Sequence, residues 1–407
     1  MKIDAERVAF TVQTSPRSSI GVLILLPRNW NGRFVGVGSG GAGGVLRDAA
    51  LAPYAAQGYA AAMTDLGTSP DPASAGWRNP EAVSDFGHRA THAMTQAVRE
   101  RVAAKYGRAP LFSYFVGAST GGQQAFAEAQ RHPGDYDGIL AGVPAHSRTR
   151  LHAYFLWNWR HSRNPDGSPL FTRAQEKGIR AAAIASFAPR ERFPGAAGRF
   201  VSAPRWPDGA IDAAIDAAAR NDHTLGPASL RALRALYSGP RHAATGERLF
   251  DGIPPGGDFS LARSNLYLFH WVFGPGADLA SLDFGGDYDR YRAALAPDLD
   301  ADNPDLDAFR AAGGRLLAYA GTQDSCVPCG PTLDYFDAVA ARLGSRDAAR
   351  SFFRLYVLPG REHFGGPGIQ ELRRPLDALR RWREKGVAPS LEGVSCTEHR
   401  IVALEPY

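Results

Sequence analysis

The chain is expected to fold as an α/β protein, a mostly parallel sheet with helices on both faces and a mostly helical insertion between two of its strands. Three observations predict this. Short apolar runs alternate with helix-length stretches toward both ends of the 407 residues, the pattern of parallel strands joined by crossover helices. A serine among small residues follows one such run, in LFSYFVGASTGG at 111–122. The middle of the chain lacks the strand alternation.

Taken in order, the runs 20–26, 33–37, 59–64 and 111–116 read as strands, and helices over 48–57, 87–106 and 121–131 lie between and after them. A short strand at 136–144 ends in a turn. The alternation resumes with a strand at 315–319, a helix at 332–343, a strand at 352–358 and a last helix at 370–385. The stretch between is rich in aromatics (Tyr154, Phe155, Trp157, Trp159), in alanine-rich helical segments and in Gly/Pro turns such as 252–258. Residues 1–146 and 309–407 are therefore expected to form one domain, and 147–308 a cap over the carboxyl ends of its strands.

With 44% hydrophobic and 10% aromatic residues, the chain can bury a large core, which excludes a disordered protein. The formal net charge is +5, yet the arginines are scattered among acids and no run of five or six bases occurs, so no nucleic-acid partner is expected. No apolar stretch reaches membrane-spanning length, and no membrane partner is expected. The opening MKIDAERVAFTVQ lacks the apolar centre of an export signal. The expected compartment is the cytoplasm, or the exterior if a leader has been trimmed away. Cys326, Cys329 and Cys396 make no disulfide scaffold. Cys326 and Cys329 have C-x-x-C spacing but no second pair to complete a zinc site, and His88 and His92 lack a third ligand, so no metal is expected at either.

Chemistry enters at Ser119. A serine on a sharp strand-to-helix turn needs small neighbours, which Gly117, Ala118 and Gly121 are. The following helix would aim its N-terminal N–H groups at whatever the hydroxyl attacks. Acyl transfer also needs a base, an acid to orient that base, and donors for the oxyanion. In the α/β-hydrolase fold the triad runs Ser, Asp/Glu, His along the chain. The strand at 315–319 leads into Asp324 and the strand at 352–358 into His363, so Ser119, Asp324 and His363 fall at three strand ends in that order. Asp334, Asp337 and Glu362 are the competing acids. Thr120 offers one oxyanion N–H, and the glycine-rich loop 36–44 a second through Gly40 or Gly41. Gly36, Gly38 and Gly41 also match a dinucleotide loop, but the acidic residue that would hold a ribose is missing, so no nucleotide cofactor is expected.

Residues 117–145, GASTGGQQAFAEAQRHPGDYDGILAGVPA, resemble the tannase and feruloyl esterase family, which includes the bacterial mono(hydroxyethyl) terephthalate hydrolases. So do 33–44, 85–89, 237–240, 245–248, 252–257 and 354–368, and the likeness covers nearly the whole chain. It implies an α/β-hydrolase with a mostly helical lid domain, hydrolysis of aromatic-acid esters, a small-molecule aromatic ester as partner, and Ser119, Asp324 and His363 as triad. An acyltransferase, an amidase or a non-catalytic binding protein on the same fold remain the alternatives. In the lid, YLFHWVF at 267–273 reads equally as an aromatic wall for the substrate, with Phe269 and Trp271 as candidates, or as a helix buried in the lid's own core, and Arg263 is a candidate carboxylate partner.

Two departures from the family matter. The resemblance implies a cysteine just before the serine and another just after the histidine, joined beneath the triad. Here these are Ala118 and Phe364, a change that leans toward a reducing interior, and Phe364 is expected to pack against Ala118 in place of the covalent tie. The resemblance also implies a calcium held by a D-x-x-D-G-x-x-D pattern. At 205–212 the first carboxylate is replaced by Arg205, and no calcium is expected.

Overall fold

The structure, a computed structural model, describes residues 4–190, 198–263, 265–365, 375–389, 391–395, 401–404 and 407. Eight strands form one sheet: β1 (Ala5–Val12), β2 (Ile20–Pro27), β3 (Arg33–Val37), β4 (Ala60–Thr64), β5 (Phe112–Ala118), β6 (Gly138–Gly142), β7 (Arg315–Gly321) and β8 (Phe353–Leu358). Their order across the sheet is β1-β2-β4-β3-β5-β6-β7-β8. β2 runs antiparallel to both β1 and β4, and from β4 onward every neighbour is parallel. A separate ribbon pairs Leu391–Ser395 with Ile401–Leu404.

The two-residue period of the strands sorts the core into layers. Phe34, Phe115, Ile139 and Leu316 face one side, in one cluster with Met94 and Val98 of the helix Ala90–Tyr106, Phe126 of the helix Thr120–Arg131 and Phe336 of the helix Gly330–Arg342. Val35, Tyr114, Leu140 and Leu317, one residue out of step, join Leu51 of the helix Asp48–Ala55 and Leu379 and Trp382 of the helix Pro375–Lys385. Cover on both faces is why β4 and β6 are buried at every position.

The expected strands and helices are present with ends moved by a residue or two, with three differences. β1 was not among them; it is an edge strand whose half-buried Val8, Phe10 and Val12 alternate with exposed positions. Residues 85–89, expected in part as the first turn of a long helix, make a π-helical turn that brings Gly87 against the backbone of Asp298. The start of the expected last helix, at Gln370, lies outside the described residues. β6 and β7 are direct neighbours, yet between them the chain runs through Arg148–His161, Arg173–Phe187, Ala210–Asn221, Pro227–Ser238, Tyr267–Phe273 and Gly286–Leu299. Part of this insertion has its own core, around Tyr154, Phe155, Leu233, Tyr237 and Phe259, which also takes in Cys326 and Val327 beyond β7. Among the described residues no helix is long and apolar enough to cross a membrane.

Candidate active site

β5 ends at Ala118 and the chain turns at Ser119 into the helix Thr120–Arg131. Ser119 has φ 60° and ψ −118°, a conformation that costs a residue with a side chain on the order of 1–3 kcal/mol. Its surroundings hold it there. The Ser119 N–H donates to the Gly142 carbonyl at 3.0 Å, and its carbonyl accepts from Gly122, Gln123 and Ala145 at 2.9–3.1 Å. Glycines admit the close approach: a Cβ on Gly117 would stand 2.7 Å from Gly121 Cα, and one on Gly38 2.6 Å from the same atom.

Gly38 begins the loop after β3, so the loop is pressed onto the serine turn, where a dinucleotide would otherwise need room. Most of its donors are spent. The N–H groups of Gly38, Gly43 and Gly44 go to the carbonyls of Val116, Gly40 and Asp65, and the Ser39 N–H donates to Gln124 Oε1 at 2.8 Å. Among the described residues no hydrogen bond takes the N–H of Gly40 or Gly41, and both residues are exposed. Thr120 is the first residue of its helix, where an N–H has no partner within the helix. Among the described residues the N–H groups of Gly40, Gly41 and Thr120 therefore make no hydrogen bond, on two segments joined by the Thr120 hydroxyl to the Gly41 carbonyl.

β7 carries Asp324 at its end and β8 carries His363. His363 Nδ1 lies 2.8 Å from Asp324 Oδ2, and both side chains are buried. The other oxygen of Asp324 accepts the N–H groups of Cys326 and Val327 at 2.9 and 2.8 Å, so its own loop orients the carboxylate. Burial opposes a charged imidazole, but the adjoining Asp324 carboxylate outweighs it and holds His363 above its ordinary pKa. The competing acids are engaged elsewhere: Asp334 with Arg205, Asp337 with Arg346 and Glu362 with Arg180.

Three residues with no motif to announce them brace these loops. Gln124 holds Ser39 and also donates to Thr91 Oγ1 at 2.7 Å. Gln323 Nε2 donates to the Gly256 carbonyl at 2.8 Å, tying the Asp324 loop to the insertion. Arg148 donates to Thr120 Oγ1 and to the Gly41 carbonyl. Their only sequence signal is a polar residue close to a motif or at the start of the insertion.

Arg263 lines a cavity of about 1010 Å³ together with Phe171, Arg173, Lys177, Arg180 and Phe259, and its guanidinium pairs with Glu176 at 2.7 Å. This cavity abuts the catalytic loops. Arg180 bonds both Glu362 and the Gly256 carbonyl, and Ser325 Oγ donates to the Asp258 carbonyl. Phe269 and Trp271 do not line it, so of the two readings of their helix the aromatic wall is corrected and the buried one stands. Phe269 is 2% exposed and stacks on Tyr291, while Trp271 is 4% exposed, packs edge-on to Phe86 and donates its Nε1–H to the Pro72 carbonyl. The short apolar helix that carries them is taken up by contacts with Phe86 and the Pro72 carbonyl on one side and with Tyr291 on the other.

Phe364 is a second correction. Its side chain is 83% exposed, Ala118 is exposed as well, and no apolar plug forms. The ring instead stands edge-on to the His363 imidazole, with centroids 4.7 Å apart at 80°. An isolated β-bridge between Glu362 and Gly365 closes the turn that presents it.

Arg205 bonds Asp251 at 2.8 Å and Asp334 at 2.6 Å, while Asp212 is taken by Arg234. A fixed cation thus occupies this corner, and the residues do not fit a calcium ion. Among the described residues no group of three or more His, Cys, Asp or Glu is placed to hold a metal. His88 and His92 face different acids, Asp298 and Asp135. Cys326 and Cys329 are buried free thiols, the latter pushed up to about 12 by burial, and Cys396 lies outside the described residues.

A sequence profile described as tannase and feruloyl esterase matches residues 7–285 and 274–400. An uncharacterized esterase of Xanthomonas campestris pv. campestris is 31% identical, with 94% of this chain and 76% of that one covered. Feruloyl esterase B of Aspergillus niger is 28% identical over 95% of this chain and 78% of its own. Among solved structures, feruloyl esterase B of Aspergillus oryzae matches with a TM-score of 0.88 at 24% identity, covering 99% of this chain and 86% of its own. Tannin acyl hydrolase of Aspergillus niger matches with a TM-score of 0.79 at 18% identity, covering 100% and 84%. At such identities the structural likeness speaks for the fold, which is that of the α/β-hydrolases.

Proposed function

The chain belongs to the tannase and feruloyl esterase family and is a carboxylic ester hydrolase, and on that premise we propose that it cleaves esters of phenolic or other aromatic acids through an acyl-enzyme, with Ser119, His363 and Asp324 as its triad. The Ser119 hydroxyl attacks the ester carbonyl carbon as His363 Nε2 takes its proton. Asp324 holds the other ring nitrogen and offsets the imidazolium charge. The tetrahedral oxyanion is received by the N–H of Thr120 and that of Gly40 or Gly41. Collapse breaks the carbon–oxygen bond and the alcohol leaves with the proton from His363. Water then attacks the acyl-serine by the same relay and releases the acid.

The observation that carries this reading is the 2.8 Å His363–Asp324 contact at two strand ends of a sheet whose third functional end holds a strained serine. Residues 147–308 act as the lid. Support for an aromatic acid comes from the cavity beside the His363 and Asp324 loops, where Phe171 and Phe259 stand with Arg173 and Lys177, while Arg263 and Arg180 are paired with Glu176 and Glu362.

A fluorophosphonate should label Ser119 and no other residue, read by mass spectrometry of the digested protein. Ser119→Ala should lower kcat by about 10⁴-fold or more with an unchanged circular dichroism spectrum. Unchanged turnover in that variant, or no labelling of folded protein, overturns the proposal. Methyl gallate, methyl ferulate and mono(hydroxyethyl) terephthalate then separate the acid classes, and an added alcohol tests for acyl transfer.

A further inference from the structure

We propose that Arg148 is the positioning residue of the oxyanion hole, clamping its two halves together and adding its charge to the field felt by the tetrahedral intermediate. The proposal rests on the Ser119 mechanism above and extends it to a residue outside the triad. Arg148 opens the first helix of the insertion and is 3% exposed. Its Nη1 donates to Thr120 Oγ1 at 2.9 Å and its Nη2 to the Gly41 carbonyl at 3.2 Å. The Thr120 hydroxyl donates its own hydrogen bond to that same carbonyl at 2.5 Å. Arginine, threonine and glycine thereby form a closed ring of hydrogen bonds. That ring spans the two separate chain segments that offer oxyanion donors, the turn after β5 and the loop after β3.

The charge is both buried and unanswered. Among the described residues no carboxylate lies within ion-pair distance of Arg148, whereas the partly buried Arg33, Arg89 and Arg205 pair with Glu384, Asp85 and Asp251. Its other contacts include the Tyr267 hydroxyl and the face of Phe86, 5.3 Å from the guanidinium carbon, with the buried His152 and Tyr291 nearby, and among the described residues its Nε has no hydrogen-bond partner. A guanidinium stays protonated at any working pH, and burying it without a counter-ion is costly. An apolar side chain would fill the same space against Phe86 and Tyr267 without that cost. The field of an unpaired, buried cation acts on negative charge that develops near it, and the Thr120 hydroxyl and Gly41 carbonyl it holds belong to the two segments that carry the free N–H donors at Gly40, Gly41 and Thr120.

The test uses Arg148→Met, Arg148→Lys and Thr120→Val with an aryl ester, an arylboronic acid that forms a tetrahedral anion on Ser119, and the matching aryl amide as a neutral ground-state mimic. Arg148→Met should lower kcat by about 100-fold, hold KM within about twofold, and weaken the boronate by the same factor as kcat while amide binding is unchanged. Arg148→Lys should recover part of both losses, because it restores charge without the fork. Thr120→Val, which cuts the relay and leaves the guanidinium, should show a smaller loss of the same kind. A lowered melting temperature with boronate affinity intact would make Arg148 a mere structural tie and overturn the proposal, as would a rise in KM at unchanged kcat. If Arg148→Met does not fold, wild-type boronate affinity in the other two variants overturns it equally. Failure of the underlying reading looks different: the wild-type protein then forms no boronate adduct at all.

Discussion

Phe364 keeps a phenyl ring in water beside the His363 imidazole, which shuttles the proton in the proposed mechanism, and there an aryl substrate would lie against it. A ring–ring contact there is worth about 0.5–1.5 kcal/mol. Phe364→Ala should therefore lower kcat/KM for methyl ferulate several-fold and leave methyl butyrate nearly unchanged, measured side by side. The neighbouring His363 sets the pH dependence. It must be neutral to accept the Ser119 proton, and Asp324 holds its pKa above the ordinary 6.5. The acid limb of kcat/KM should accordingly lie above pH 6.5, and Asp324→Asn should move it down while lowering kcat by about 10⁴-fold. The same raised pKa acts on stability in the opposite sense. The ion pair stabilises the fold fully below the unfolded pKa and that contribution is lost as pH rises through the folded value, so activity rises where the pair's contribution to stability fades.

Among the elements, the turn between β5 and its helix is the least forgiving. Gly117→Ala would drive a methyl against the Gly121 backbone and should destabilise by about 1–3 kcal/mol or more, seen as a lower thermal midpoint with loss of activity. Gly178, in the helix Arg173–Phe187, has nothing within 4 Å of an added Cβ. Gly178→Ala should instead raise stability by about 0.5–1 kcal/mol in the same assay. These elements also mark how far the primary structure can be read. β2, β5 and β7 are legible because their apolar runs have strand length, and Ser119, Asp324 and His363 because each follows such a run. β1 was there to be read in Val8, Phe10 and Val12, but Glu6 and Arg7 interrupt it as befits an edge. YLFHWVF at 267–273 is apolar on every side, so periodicity cannot say that Trp271 meets Phe86 from a distant part of the chain. The turn that aims Phe364 outward is closed by the local Glu362–Gly365 bridge, but Glu362 is also held by Arg180 from the distant insertion, which no local pattern announces. Gln124 and Arg148 look like surface residues until the fold buries them.

For the whole molecule, the arginine at 205 joins two bodies of the chain, since Asp251 belongs to the insertion and Asp334 to a helix flanking the sheet. Arg205→Ala should cost about 1 kcal/mol, because these pairs remain partly exposed. EDTA should leave the thermal midpoint of the native protein unchanged, since a guanidinium stands where a cation would be needed. The larger consequence follows from β6 and β7, which lie side by side with Gly142 opposite Tyr319 although the entire insertion separates them in the chain. The entropy of closing a loop grows only with the logarithm of its length. A long excursion between two touching strand ends therefore burdens the frame little more than a short crossover does. What is threaded through that gap can change in length without opening the sheet, but not without limit, because Arg148, Arg180 and the Gly256 carbonyl reach from it to the loops that hold Ser119, Asp324 and His363. The frame tolerates a new insertion in proportion to how many of those few ties the newcomer keeps.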